Sequence, residues 1–269
     1  MSGETLQVRD IRKTFNPGKP DLPQALDGVD LALARGELVT IIGSNGAGKS
    51  TLFNVIAGTL PPDQGRVILD GEDITWWKEH RRARNIGRLF QDPHHGTAPD
   101  LTIEENLALV YSKATRRFPL ALALRQKERA FLLETLEKLD MGLETRLKAP
   151  VGTLSGGQRQ ALTLLLATLV PPKLLLLDEH TAALDPVAAK KILALTVEIT
   201  GAHSITTLMI THNILSALET GDRTIMMHKG RIVMDLAGEE RSRMTVEELL
   251  ERYRERVQEN LVADRLIFG

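Results

Sequence analysis

Apolar-rich runs punctuate the chain. Leu38-Val39-Thr40-Ile41-Ile42 and Leu174 to Leu177 read as buried strands, and Thr206 to Ile210 as a further strand, as expected of a parallel sheet. The segments between and after them, Thr51 to Ala57, Arg159 to Leu169, Pro186 to Ile199 and Ile214 to Thr220, read as crossover helices. Two alternating runs near the start, Leu6 to Arg9 and Leu26 to Leu33, flank the Pro- and Gly-rich stretch Asn16 to Pro23, which predicts a small antiparallel element with an irregular loop. Arg66 to Leu69 and Ile86 to Phe90 add two strands, separated by the turn Asp70-Gly71 and by a short helix over Trp76 to Arg84 that Trp76-Trp77 should anchor.

From Asp92 to Pro150 the pattern turns helical. Thr102-Ile103-Glu104-Glu105 is a capping box, and Arg125 to Leu139 reads as a long amphipathic helix. A terminal hairpin is expected from Arg223 to His228 and Arg231 to Leu236 through Lys229-Gly230, followed by a second capping box, Thr245-Val246-Glu247-Glu248, that opens a helix toward Asn260. Leu266-Ile267-Phe268 should either pack on the body or a second subunit, or fray.

Composition narrows the class of protein. With 269 residues, 42% hydrophobic and 26% charged, the chain has material for one large domain or two modest ones. A net charge of -1 gives no global drive toward nucleic acid or anionic lipid, so no nucleic-acid partner is expected. The basic run Lys78 to Arg84 reads as a solvated helix face. Cysteine is absent, which excludes disulfides, thiolate metal sites and a catalytic thiol, and fits a reducing compartment. Met1 to Asp10 lacks an apolar signal core and no stretch is long and apolar enough to span a bilayer, so any membrane role needs a partner.

The candidate chemistry begins at Gly43-Ser44-Asn45-Gly46-Ala47-Gly48-Lys49-Ser50, the pattern G-x-x-x-x-G-K-[ST] between a buried strand and a helix. Three glycines let the backbone curl so that successive N–H groups converge on phosphate oxygens, and the helix N-terminus adds partial positive charge. Lys49 is placed to reach β- and γ-phosphates and Ser50 to ligate magnesium, with Thr51 next in line. A nucleoside triphosphate is the expected ligand. Leu174 to Leu177 run into Asp178-Glu179, two carboxylates at the C-terminal edge of a strand where open α/β sheets bind ligands. Asp178 suits magnesium and Glu179 suits a general base, although such a pair also begins ordinary turns. Ser155-Gly156-Gly157-Gln158 opens another helix and is either a second anion site or a capped start serving stability alone.

These segments, with Leu154 before Ser155, Gln91 after a strand, Ala183-Leu184-Asp185 and Thr211-His212, resemble the ATP-binding cassette ATPases of ABC transporters over roughly residues 4 to 238. The resemblance implies an α/β fold, a RecA-like P-loop NTPase core with an N-terminal antiparallel β element and an inserted helical subdomain. It places the ATPase domain at 1–240, the helical insertion at about 92–160 and a C-terminal helical tail at 241–269. It further implies that Leu154 to Gln158 form a signature whose Ser155, Gly157 and Gln158 contact ATP held by the P-loop of a second ATPase subunit. Gln91 becomes a catalytic and magnesium-linked glutamine, His212 the γ-phosphate switch and Asp185 a link between two sites. Phe15 stands where the family stacks an aromatic ring on adenine; alone, it reads equally as a core side chain.

One departure stands out: His180 follows Glu179 where most members have Pro or Ala. The wording around Glu179 to Pro186 and Gly96 to Leu107 resembles import ATPases for aromatic and, more distantly, branched-chain amino acids. The resemblance thus implies MgATP hydrolysis coupled to import, transmembrane permease partners, an extracytoplasmic solute-binding protein, and a peripheral position on the cytoplasmic face of the cell membrane. A soluble cassette ATPase of an assembly or regulatory system, or an exporter or lipid-transport ATPase, carries the same motifs.

Overall fold

Leu174, Leu175, Leu176 and Leu177 are each fully buried, and they alternate between two different cores. That division follows from the two-residue period of a strand with both faces covered, and the fold is built around it. The computed structural model describes residues 3–15, 24–114 and 126–268. The expected irregular loop at 16–23 and the side chains of Leu266-Ile267-Phe268 lie outside what is described.

β7 (Leu174–Asp178) belongs to a six-stranded sheet with order β10-β9-β3-β8-β7-β6. Here β6 (Ile86–Leu89), β3 (Leu38–Gly43), β8 (Thr206–Ile210) and β9 (Arg223–His228) are parallel to β7 or to each other, and only β10 (Arg231–Ala237) turns back antiparallel. A smaller antiparallel sheet takes the order β2-β1-β4-β5, from β1 (Glu4–Lys13), β2 (Leu26–Ala34), β4 (Gln64–Leu69) and β5 (Glu72–Asp73). Leu174 and Leu176 face the first core, shared by this small sheet and α1 (Lys49–Ala57). Leu175 and Leu177 face the second, shared with α3 (Ile103–Ala114), α4 (Gln126–Glu137), α5 (Gly156–Thr168) and α6 (Pro186–Ala202). A third apolar cluster joins Ile42 and Met226 to α7 (Ile214–Glu219), β10 and Leu249 of α9 (Val246–Phe268), which α8 (Gly238–Arg243) precedes.

Both capping boxes form as expected: Glu105 N–H donates to Thr102 Oγ1 at 3.2 Å, and Glu248 N–H to Thr245 Oγ1 at 3.2 Å. The segment 76–84 departs from expectation. Its helix, α2, spans only Glu79–Arg82, and Trp76 is 73% exposed, so Trp77 alone packs on the first core while Arg81 stacks over its ring at 3.4 Å. Nor is the basic run wholly solvated. Arg82 is 2% exposed and turns inward, donating to Val55 O and Ile56 O at the end of α1 and to Thr75 O and Trp77 O. A buried guanidinium with carbonyl partners satisfies the helix end that a surface arginine would leave bare.

Candidate functional site

β3 ends at Gly43 and α1 begins at Lys49, so residues 44–48 connect a buried strand to a helix N-terminus. Gly48 has φ +103, and a Cβ there would lie 2.5 Å from Ala25 O; one at Gly43 would lie 2.4 Å from Met227 O. Only glycine permits that approach. The turn between β9 and β10 supports the loop through Gly230 N–H, which donates to Ala47 O at 2.9 Å. Ser44, Asn45, Gly46 and Ser50 are exposed at the mouth, Ala47 is buried and Thr51 is half-buried. Lys49 is buried, its Nζ donating to Gly43 O at 2.7 Å and Ser44 O at 3.2 Å. Burial pulls its ammonium below the ordinary lysine range, while the charges of Glu179 and Asp178 push back up. Those carboxylates therefore lie close enough for their charges to act on the lysine.

Parallel pairing explains that meeting. Ile41 pairs with Ile210 and Asp178 with Ile210, so β3, β8 and β7 deliver their C-terminal ends to one edge. Burial raises the Asp178 carboxyl above its usual range, opposed by Arg88, whose Nη2 lies 3.7 Å from Asp178 Oδ2. Arg88 Nη2 also donates to Asn54 Oδ1 of α1 at 2.9 Å, and its guanidinium lies 4.6 Å from the Phe90 ring centre. Arg88 was not legible as a site residue; its one signal was a charge inside Ile86 to Phe90, a run read as a strand.

Glu179 sits at φ +46, its N–H donating to Ile210 O at 3.1 Å and its Oε2 lying 3.5 Å from His212 Nδ1. His212 is mostly exposed in a turn tightened by Asn213 N–H to Thr211 Oγ1 at 3.1 Å. His180 points the other way: it is 3% exposed, its Nε2 is 3.3 Å from Thr196 Oγ1, and burial pushes its pKa down to about 4. Gln91 is exposed two residues past Leu89, which pairs with Leu177, so it emerges beside the carboxylate edge. Phe15 follows β1 and is 49% exposed, which removes the reading of its ring as a core side chain.

The turn 155–158 stands apart from this edge. Ser155 caps α5 in a reciprocal box with Gln158 at 3.3 Å in each direction. Gln158 is further committed to Met141 O at 3.1 Å and to Arg146 at 3.2 Å. A Cβ on Gly157 would lie 3.2 Å from Ala188 Cβ of α6, so this glycine allows close helix packing. Asp185 caps α6 through the N–H groups of Val187 and Ala188 at 3.1 and 3.0 Å. Among the described residues no bond from turn 155–158 reaches loop 43–50. Ser155 and Gly156 are exposed.

Among the described residues, no three His, Cys, Asp or Glu side chains converge into a metal cage. Asp178 and the exposed Ser50 hydroxyl offer sparse oxygen donors, which fits a magnesium ion that arrives with a triphosphate supplying further ligands.

Comparison with known proteins gives the family. A family model described as ABC transporter matches residues 26–182. The chain is 44% identical over 250 residues to a tyrosine transport ATP-binding protein of Clostridioides difficile (strain R20291), covering 92% of this chain and 98% of that protein. It is 35% identical over 253 residues to a xylose/arabinose import ATP-binding protein of Sulfolobus acidocaldarius, covering 92% and 93% respectively. A solved dimeric post-hydrolysis state of an ATP-binding cassette bound to ADP and Pi superimposes with a TM-score of 0.68 at 28% identity, covering 86% of this chain and 98% of that one.

Proposed function

This chain belongs to the ABC transporter family, and from that premise we propose how its residues divide the work and what it serves. It is the ATP-binding, ATP-hydrolysing subunit of an importer. Cassettes of this kind act as dimers with membrane permease subunits. The observation that carries the assignment of roles is the meeting of Lys49, Asp178, Glu179 and His212 at one sheet edge.

In our reading the amides from Gly43 to Thr51 cradle the phosphates while Lys49 binds the β- and γ-phosphate oxygens. Ser50, Asp178 and Gln91 would hold magnesium, which would offset the negative charge of the phosphates. Glu179 takes the proton of the attacking water, and His212 hydrogen-bonds the γ-phosphate at the moment of transfer. Phe15 offers its ring to adenine. The exposed Ser155 turn, with Gly157 and Gln158 shaping it, closes on the nucleotide of the partner copy. The cap explains why the turn can do so: Ser155 and Gln158 are already held in place.

The relative that is 44% identical is a tyrosine transport ATP-binding protein, and we propose an aromatic or related small amino acid as the cargo. Permease subunits and an extracytoplasmic solute-binding protein complete the importer. No helix among the described residues is long and apolar enough to cross a membrane, so the permease would hold this subunit at the cytoplasmic face.

Glu179→Gln tests the central role. The variant should bind ATP with near wild-type affinity, lose at least about a hundredfold in turnover and run as an ATP-dependent dimer on gel filtration. Wild-type turnover in this variant would refute the role.

A further inference from the structure

The turn after β7 contains one buried group that the chemistry above does not use. His180 directly follows Glu179, is 3% exposed, and reaches Thr196 of α6 with its ring. Its Nε2 lies 3.3 Å from Thr196 Oγ1, and the Thr196 hydroxyl proton is already given to Ile192 O at 2.8 Å. Thr196 must therefore accept, which fixes His180 as the Nε2–H tautomer. Thr196 is fully buried in α6, the helix that Asp185 caps.

Glu179 has φ +46, a left-handed conformation that is strained for a residue with a Cβ and persists only where its surroundings impose it. Two backbone bonds help: Glu179 N–H to Ile210 O at 3.1 Å, and Ala182 N–H to Glu179 O at 2.9 Å. Neither bond sets where the following residue points. The His180 ring does, because relaxing Glu179 toward a commoner φ would swing the next residue and pull a hydrogen-bonded ring out of the core. With that ring held in the core, the Glu179 carboxylate stays turned toward His212, 3.5 Å away.

We propose that His180 is a positioning residue for hydrolysis: bonded to Thr196, it locks the turn that aims the Glu179 carboxylate at the attacking water. The proposal rests on the role given to Glu179 above. A His180 that merely filled space would behave differently, since an apolar ring of similar size would then support the same turnover.

The test measures ATP turnover, KM and ADP affinity by calorimetry on the full chain, for His180→Phe, Thr196→Val, Thr196→Ser and Glu179→Gln. His180→Phe and Thr196→Val should each lose about tenfold or more in kcat, because aim rather than nucleotide binding is lost, with KM and ADP affinity within about twofold of wild type. Thr196→Ser keeps the hydroxyl and should retain kcat. Combining His180→Phe with Thr196→Val should be no slower than the worse single variant, since both break one bond. If His180→Phe does not fold, the near-isosteric Thr196→Val and Thr196→Ser pair decides alone. Full kcat in Thr196→Val, or equal losses in Thr196→Val and Thr196→Ser, would overturn the proposal while an inactive Glu179→Gln left the parent reading standing. An active Glu179→Gln would remove both.

Discussion

Replacing Arg82 by methionine tests whether the far end of the phosphate-loop helix is held by one buried cation. The Arg82 side chain donates to Val55 O at 2.8 Å, Ile56 O at 2.7 Å, Thr75 O at 2.6 Å and Trp77 O at 3.0 Å, and the residue is 2% exposed. Two of those carbonyls end α1, the helix whose other end is the phosphate loop. Burial lowers the Arg82 pKa to about 10, so the guanidinium stays charged at neutral pH and faces the negative end of the α1 dipole. Methionine fills much of the volume but donates nothing. Each carbonyl left without a donor costs about 1–3 kcal/mol. Water entering beside α2 should recover part of this, and relief from burying a cation offsets more, leaving a net loss of about 3–5 kcal/mol. Lysine, with a single ammonium, should restore about half of it.

Urea unfolding monitored by circular dichroism reads the effect directly. With a slope of about 3 kcal/mol/M for a chain of this size, Arg82→Met should lower the midpoint by about 1–1.7 M. A shift below about 0.3 M, at unchanged slope, would refute the argument that this guanidinium holds the α1 terminus.

Gly48→Ala should lose ATP binding by calorimetry, because a Cβ would sit 2.5 Å from Ala25 O at φ +103; affinity within about threefold of wild type would show that the loop can yield. Acid stability should carry the mark of His180. Its folded pKa is pushed down to about 4 from 6.5, so between those values the unfolded chain takes up a proton that the folded chain refuses, and stability falls as pH drops. The loss approaches about 3 kcal/mol near pH 4 and is absent above pH 6.5. Asp178, raised by burial, acts with the opposite sign, so the comparison is wild type against His180→Gln in urea at several pH values. Equal acid sensitivity in the two would contradict a buried neutral ring.

The sequence by itself determined the elements whose chemistry is local. Short runs dominated by aliphatic and β-branched residues suit strands buried on both faces, so β3, β7 and β8 were legible from Leu38 to Ile42, Leu174 to Leu177 and Thr206 to Ile210. Caps are equally local, and Thr102, Ser155 and Thr245 all open helices by the expected exchange of bonds. The phosphate loop was legible because glycine spacing is a statement about backbone geometry.

Only the tertiary structure decided what long side chains do. Nothing within Lys78 to Arg84 says that Arg82 alone turns inward, since its partners Val55 and Ile56 lie more than twenty residues away. The helix expected over Trp76 to Arg84 shrank to Glu79–Arg82 because Trp77 packs on the core and Trp76 does not. Arg88 beside Asp178, and His180 on Thr196, are likewise meetings between elements. A long polar side chain is compatible with solvent or with burial in any local sequence, and the choice falls to whichever distant carbonyl, carboxylate or hydroxyl the fold brings within reach.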